Sequence, residues 1–201
     1  MGQPDLDEKQ RDELQELGNV GAGRASRYLS DVVDDKVDID IPEVDVVKFS
    51  GDVGEEIAKV FDVPENQQLM SVLIPTSKPA GGIVFSFTQQ DYMTFLQMSS
   101  DGGEQDDFLE ISEEVGDFYL KAVHQLLGIE VDHDEPRLIS LPLNTLLIQI
   151  QSSIVGQGGG SSALVINTDF SIQDQTQGEL TLFLEVNDVD TIINALEQQI
   201  S

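Results

Sequence analysis

The sequence has no cysteine, which excludes a disulfide framework and a thiolate site. Its only two histidines, His124 and His133, lack the spacing of metal ligands, and no run of 18 or more apolar residues could span a bilayer. The first ten residues, MGQPDLDEKQ, are acidic and polar, unlike a signal or transit peptide. We therefore expect a soluble, cytoplasmic protein without a metal site of its own.

Basic residues are also scarce: 10 stand against 38 acidic residues, which gives a net charge of −28. This excess argues against binding to nucleic acid or to an anionic membrane, because both would repel the chain. A basic partner is one interpretation, and the acidic surface of a halophile's protein is the other. The acidic residues are spread along the whole chain rather than gathered in a tail, which favours the halophilic surface.

Hydrophobic periodicity predicts a long first helix from Asp12 to Val33. Its apolar residues fall on one face, and Asp12, Glu16 and Asn19 fall on the opposite face; we call these three residues the first ridge. Three glycines interrupt the helix, and each costs roughly 1 kcal/mol relative to alanine. Such a cost indicates either the close approach of another backbone or room for a partner on the exposed face.

The remainder of the chain predicts alternating strands and helices. The segment after Pro142 has helical spacing, although its isoleucines and Thr145 would equally suit a strand. Asp91 and Asp188 are each predicted to cap a helix. The other predicted elements are a second long helix at 108–127, a short helix at 55–61, a turn at 79–82, and strands at 37–41, 69–75, 83–87, 163–166 and 180–184.

These elements repeat at a nearly fixed offset. An offset of 97 residues relates Asp91 to Asp188, and one of 98 relates the triplet at 16–18 to that at 114–116. We interpret this as an internal duplication.

The predicted fold is therefore α/β, with a pseudo-twofold axis and a single β-sheet packed against two long helices. The whole chain, 1–201, forms one domain of two repeats, at about 8–99 and about 106–200, and pairing the repeats helps to build one core.

Three other motifs do not predict sites. The glycine-containing stretch at 21–26 follows a polar helical run, whereas a dinucleotide fingerprint needs a preceding strand. The acidic stretch at 132–135 has no loop glycine of the calcium-binding type. No serine, histidine and aspartate set suggests a nucleophile, so we expect no covalent catalysis.

The first ridge remains as the candidate site. A glutamate followed three residues later by an asparagine on an exposed helix is ordinarily a solvated surface. A carboxamide can also orient a water molecule for attack, while a nearby carboxylate engages a lysine of the substrate. Placed on a rigid helix, such a pair could enter another protein's active site and catalyse by positioning.

The spacing of the ridge carries a resemblance to a known family. Asp12, Glu16 and Asn19 are followed by Pro42 after 22 intervening residues, and GNVGAGRASRYLS begins at Gly18. This pattern resembles that of the CheC family of chemotaxis phosphatases, the relatives of CheX and FliY: Asp or Ser, three residues, Glu, two residues, Asn, and Pro after 22 residues. The resemblance covers nearly the whole chain.

The resemblance implies that the substrate is the aspartyl phosphate of a CheY-type response regulator. Asn19 would position the attacking water and Glu16 would contact the regulator's active-site lysine, with Asp12 and Pro42 in supporting roles. The regulator would supply the divalent metal, Mg²⁺, so no cofactor is expected here. The receptor deamidase CheD is implied as a second partner.

The second copy departs from the pattern. Glu114 matches the glutamate, but Asp117 replaces the amide, and Glu110 and Ser140 replace the first residue and the proline; Glu110, Glu114 and Asp117 form the second ridge. An ionised carboxylate cannot donate a hydrogen bond and would repel a phosphoryl group, so we expect a weak or inactive second site. A non-enzymatic adaptor that binds CheD or the regulator is the rival hypothesis.

Overall fold

The computed structural model describes residues 6–48, 61, 63–78, 80–99, 105–128, 130–156, 162–185 and 194–195. Four helices and eight strands have bounds within this part of the chain. They are α1 (Glu8–Val33), β1 (Val37–Ile39), β2 (Glu43–Lys48), β3 (Gln68–Lys78), β4 (Ala80–Thr88), α2 (Gln89–Met98), α3 (Gln105–Leu127), β5 (Asp132–His133), β6 (Arg137–Pro142), α4 (Leu143–Gly156), β7 (Ser162–Ile172) and β8 (Thr176–Glu185).

The strands form one antiparallel sheet in the order β1-β7-β8-β4-β3-β5, with β2 also paired to β7 and β6 to β3. The prediction of a single sheet packed against two long helices is confirmed. At the centre of the sheet, β4 pairs with β8 so that Val84 lies opposite Thr181. The internal duplication and its two repeats stay predictions.

Both faces of the sheet are covered, which is why β4 is buried along nearly its whole length. Side chains alternate across a strand, so neighbouring residues enter different cores. Ile83 and Phe85 pack with α1, α2 and α3 in one cluster. Val84 packs with α4 and Phe183 in the other. The two long helices therefore share one face of the sheet.

Helix α1 begins at Glu8, four residues before the predicted start. Asp7 caps it: the Gln10 amide donates to Asp7 Oδ1 at 2.8 Å, and the Asp7 amide donates to Gln10 Oε1 at 3.0 Å. This reciprocal pair satisfies two backbone donors of the first turn and explains why the helix starts before Asp12.

Two other predicted boundaries are wrong. Residues 80–82 belong to β4 and do not form a turn. The cap of α2 is Thr88, whose hydroxyl accepts from the Asp91 amide at 3.2 Å, and Asp91 lies inside the first turn. The alternative left open after Pro142 is settled as the helix α4. Asp188 and most of the predicted helix at 55–61 lie outside the described residues.

Candidate functional site

The first ridge lies on the solvent side of α1. Asp12 and Glu16 are exposed, and Asn19 is half-buried. The opposite face is buried at this end of the helix, with Leu14 and Leu17 both 0% exposed. Because this face is fixed against the sheet and α3, the ridge residues are presented by a rigid element, as catalysis by positioning requires.

Two of the α1 glycines allow close packing. A Cβ atom built at Gly18 would lie 2.8 Å from side-chain atoms of Ile166 and Pro42, and one built at Gly21 would lie 2.8 Å from the ring of Tyr119. Any larger residue would push the helix away from the sheet or from α3. The backbone therefore packs closely against its neighbours within one turn of Asn19.

Pro42 is a structural support for the ridge. It is buried, and besides touching the Gly18 position it presents its carbonyl oxygen to Gln15 Nε2, which donates at 3.1 Å. One turn earlier, the Arg11 guanidinium donates to the carbonyl oxygen of Val44. Pro42, just before β2, and Val44, within it, thus hold the turns of α1 that precede Asn19.

The second ridge has a different chemistry. On α3, Glu110 and Glu114 are exposed, but the Asp117 carboxylate is engaged at both oxygens. Lys121 Nζ donates to Oδ2 at 2.9 Å, and His133 Nε2 lies 3.0 Å from Oδ1. The Asp117 side chain is therefore committed to partners within its own chain.

The charges around this pair shift both groups. Partial burial by itself would raise the pKa of Asp117, but the hydrogen bonds and charges of Lys121 and His133 lower it below its ordinary value. Burial would lower the pKa of His133, but its hydrogen bond to the Asp134 carbonyl and the charges of Asp117 and Glu113 raise it. At neutral pH Asp117 is an acceptor only.

The pair should leave a pH signature in stability. With its folded pKa raised, His133 contributes stability that is complete below pH about 6.5 and is lost as the pH rises through the folded pKa. Asp117, with a lowered pKa, contributes above pH about 3.9 and loses this on acidification. We expect His133→Gln to lower the free energy of unfolding by about 0.5 kcal/mol at pH 6 and by less at pH 8.

Urea titrations of wild type and variant at several pH values measure this difference. A difference that stays constant from pH 5.5 to 8 would contradict the assignment.

The sequence alone indicates the pair of Asp117 and Lys121, since these residues stand four apart on a helix. Nothing local pointed to His133, which reaches Asp117 from the next strand.

Neither a metal site nor a membrane-spanning helix is found among the described residues. Within the described ranges, no three His, Asp or Glu side chains converge as a metal site would require. Among the same residues, no helix is both long and apolar enough to cross a membrane. What the first ridge offers is one amide and two carboxylates on a rigid support.

No family model matches the chain, but its fold is that of known chemotaxis and flagellar proteins. Thermotoga maritima FliY superposes with a TM-score of 0.71 at 15% identity, over 97% of this chain and 99% of that one. The FliM chain of a FliM–SpeE complex from H. pylori gives 0.65 at 13%, over 97% and 98%. CheX from Desulfovibrio desulfuricans gives 0.55 at 14%, over 85% and 99%.

Proposed function

We propose that this protein is a phosphatase that hydrolyses the aspartyl phosphate of a CheY-type response regulator and so ends a chemotaxis signal. The observation that carries the proposal is the exposed Glu16 and half-buried Asn19 on a helix braced by Pro42. The fold shared with FliY and CheX supports the same class of function.

The chemistry requires little from this chain. The Asn19 carboxamide holds a water molecule in line with the phosphorus, while Glu16 binds the regulator's lysine and fixes the orientation of the two proteins. The water oxygen bonds to phosphorus, the bond from phosphorus to the regulator's aspartate oxygen breaks, and inorganic phosphate leaves with the protons of the water. The regulator would supply the Mg²⁺ that neutralises the phosphoryl oxygens, so we expect this chain to need no cofactor of its own.

One competent site is proposed. An ionised Asp117 cannot donate a hydrogen bond to the phosphoryl group or its attacking water as an amide can, and its negative charge opposes the phosphoryl group. The contacts with Lys121 and His133 also hold it in place. The second ridge is therefore left out of the reaction.

The test is the decay of a phosphorylated CheY-type regulator with and without this protein. We expect Asn19→Ala to lower kcat about 10²-fold, because the attacking water loses its position while the docking surface is unchanged. Asp117→Ala, at the equivalent position of the second ridge, is the matched control and should leave kcat within about twofold. A variant Asn19→Ala that is as active as wild type would overturn the role of Asn19.

A binding adaptor is the second candidate. The second ridge has lost its amide, and one protein of the same fold was captured in a complex with another protein, SpeE. Binding of the regulator, or of the deamidase CheD, with no faster decay of the phosphorylated regulator would favour the adaptor. CheD titrated into the phosphatase assay tests whether it is a second partner.

A further inference from the structure

A groove of about 450 Å³ lies between α1 and α3, beyond the first ridge. Its cations are Arg24, Arg27 and Lys121, and the rings of Tyr28 and Phe118 lie beside them, 5.4 Å apart between centroids. We call this the basic groove. The residues of the first ridge do not line it, and the second ridge reaches it only through the contact of Asp117 with Lys121.

The basic groove contrasts with the rest of the molecule in charge. It gathers three of the chain's 10 basic residues, while the chain as a whole carries −28. Asp31 is the one carboxylate among the residues that line it. Lys121 is paired with Asp117, so the two arginines against Asp31 make this surface locally cationic on a strongly acidic protein. An acidic partner would be repelled elsewhere.

The arginines keep their charge available. Arg24 Nη2 donates to the uncharged Gln125 Oε1 at 2.5 Å, and in the described part of the chain neither Arg24 nor Arg27 forms an ion pair. Lys121 is shared: it binds Asp117 and lies 5.3 Å from the centroid of the Phe118 ring. The two guanidinium groups are therefore the main unneutralised cations of the groove.

The basic groove continues the first ridge. Arg27 follows Glu16 by eleven residues, which is three helical turns to within about 20°, so the two residues point in nearly the same direction. The separation along the axis is about 16 Å. A folded partner that contacts Glu16 and Asn19 is wide enough to cover the groove as well.

Gly23 lies between the two regions and has no packing reason to be glycine. A Cβ atom built there would meet only the Cδ1 atom of Ile39, at 4.0 Å, whereas Gly18 and Gly21 are each closely packed. A glycine inside a helix weakens it. A bare helix surface between Asn19 and the groove lets another protein's chain come close to α1.

We propose that Gly23 and the basic groove form the second half of the docking surface, and that they bind an acidic face of the response regulator. This rests on the proposed function, since it names the electrostatic contact made by the same partner. Asn19 and Glu16 act on the phosphoryl group, whereas Arg24 and Arg27 set how fast and how tightly the regulator docks.

Steady-state kinetics of the phosphorylated regulator at several salt concentrations test this. The double variant Arg24→Gln with Arg27→Gln should raise KM about tenfold, leave kcat unchanged and flatten the dependence of KM on salt. The matched control, Lys36→Gln with Arg137→Gln, also removes two positive charges, but from outside the groove. It should leave KM within about twofold.

Gly23→Ala gives an independent reading. It should raise Tm by about 2–4 °C, because alanine favours the helix, and still raise KM, because a methyl group enters the contact. A higher Tm with an unchanged KM would remove Gly23 from the surface. An unchanged KM in the arginine variant, or an equal rise in its charge-matched control, would overturn the proposal.

Failure of this proposal can be told apart from failure of the phosphatase. If Asn19→Ala loses kcat while the arginine variant behaves as wild type, only the docking surface is wrong. If the wild type binds the regulator without hydrolysis and the arginine variant weakens that binding, the surface stands and the protein is an adaptor. Titration calorimetry with the phosphorylated regulator provides that binding measurement.

Discussion

Replacing Phe85 with alanine is expected to lower the free energy of unfolding by about 3–5 kcal/mol. The ring is 0% exposed and contacts four other phenylalanine rings, with centroids 4.9–6.3 Å away. Phe87 shares β4 with it, while Phe95, Phe108 and Phe170 come from α2, α3 and β7. Truncation would leave a cavity where four elements meet, and denaturant titration measures the loss.

Met93 provides the matched control for this experiment. It lies on α2, two residues before Phe95 of the ring cluster, but its side chain is 51% exposed. Met93→Ala should change the free energy of unfolding by less than about 0.5 kcal/mol. A loss below about 1 kcal/mol for Phe85→Ala would mean that the five rings are not the common core of these elements.

Periodicity predicts an element when one face of it is buried and the other is not. Helix α1 has such a pattern, and its predicted start is four residues from the observed one. The strand at 180–184 was found from its alternating leucines, although β8 is buried on both faces there. The segment Glu43–Lys48 also begins with alternating polar and apolar residues, but the predicted strand at 37–41 stops before Pro42, so β2 was missed. The two-residue β5 has no pattern to detect.

Part of the candidate site could likewise be predicted from the sequence, and part could not. The direction of the first ridge follows from 100° per residue alone. The contact between His133 and Asp117 bridges 16 residues, and that between Arg24 and Gln125 bridges 101. Such contacts depend on how α3 packs against α1 and β5, and no local sequence signal contains that information. The basic groove could therefore not be predicted from the sequence.

The glycines of this chain differ in how closely they are packed, so the same change to alanine should have different effects at different positions. In the sequence, Gly81 was part of a predicted turn, but it lies in β4 opposite Leu184. A Cβ atom at Gly81 would fall on the carbonyl oxygen of Phe183 and 2.9 Å from its carbonyl carbon. Backbone atoms of a central strand cannot move aside as a side chain can.

We therefore expect Gly81→Ala to lower the free energy of unfolding by about 3 kcal/mol, the upper range for overpacking. Gly23→Ala, the same chemical change on the open side of α1, should raise it by up to about 1 kcal/mol through helix propensity. Denaturant titrations of the two variants against wild type compare the signs directly. Equal signs would contradict the argument, because a general preference for alanine would move both positions together, whereas the β4–β8 contact acts on Gly81 alone.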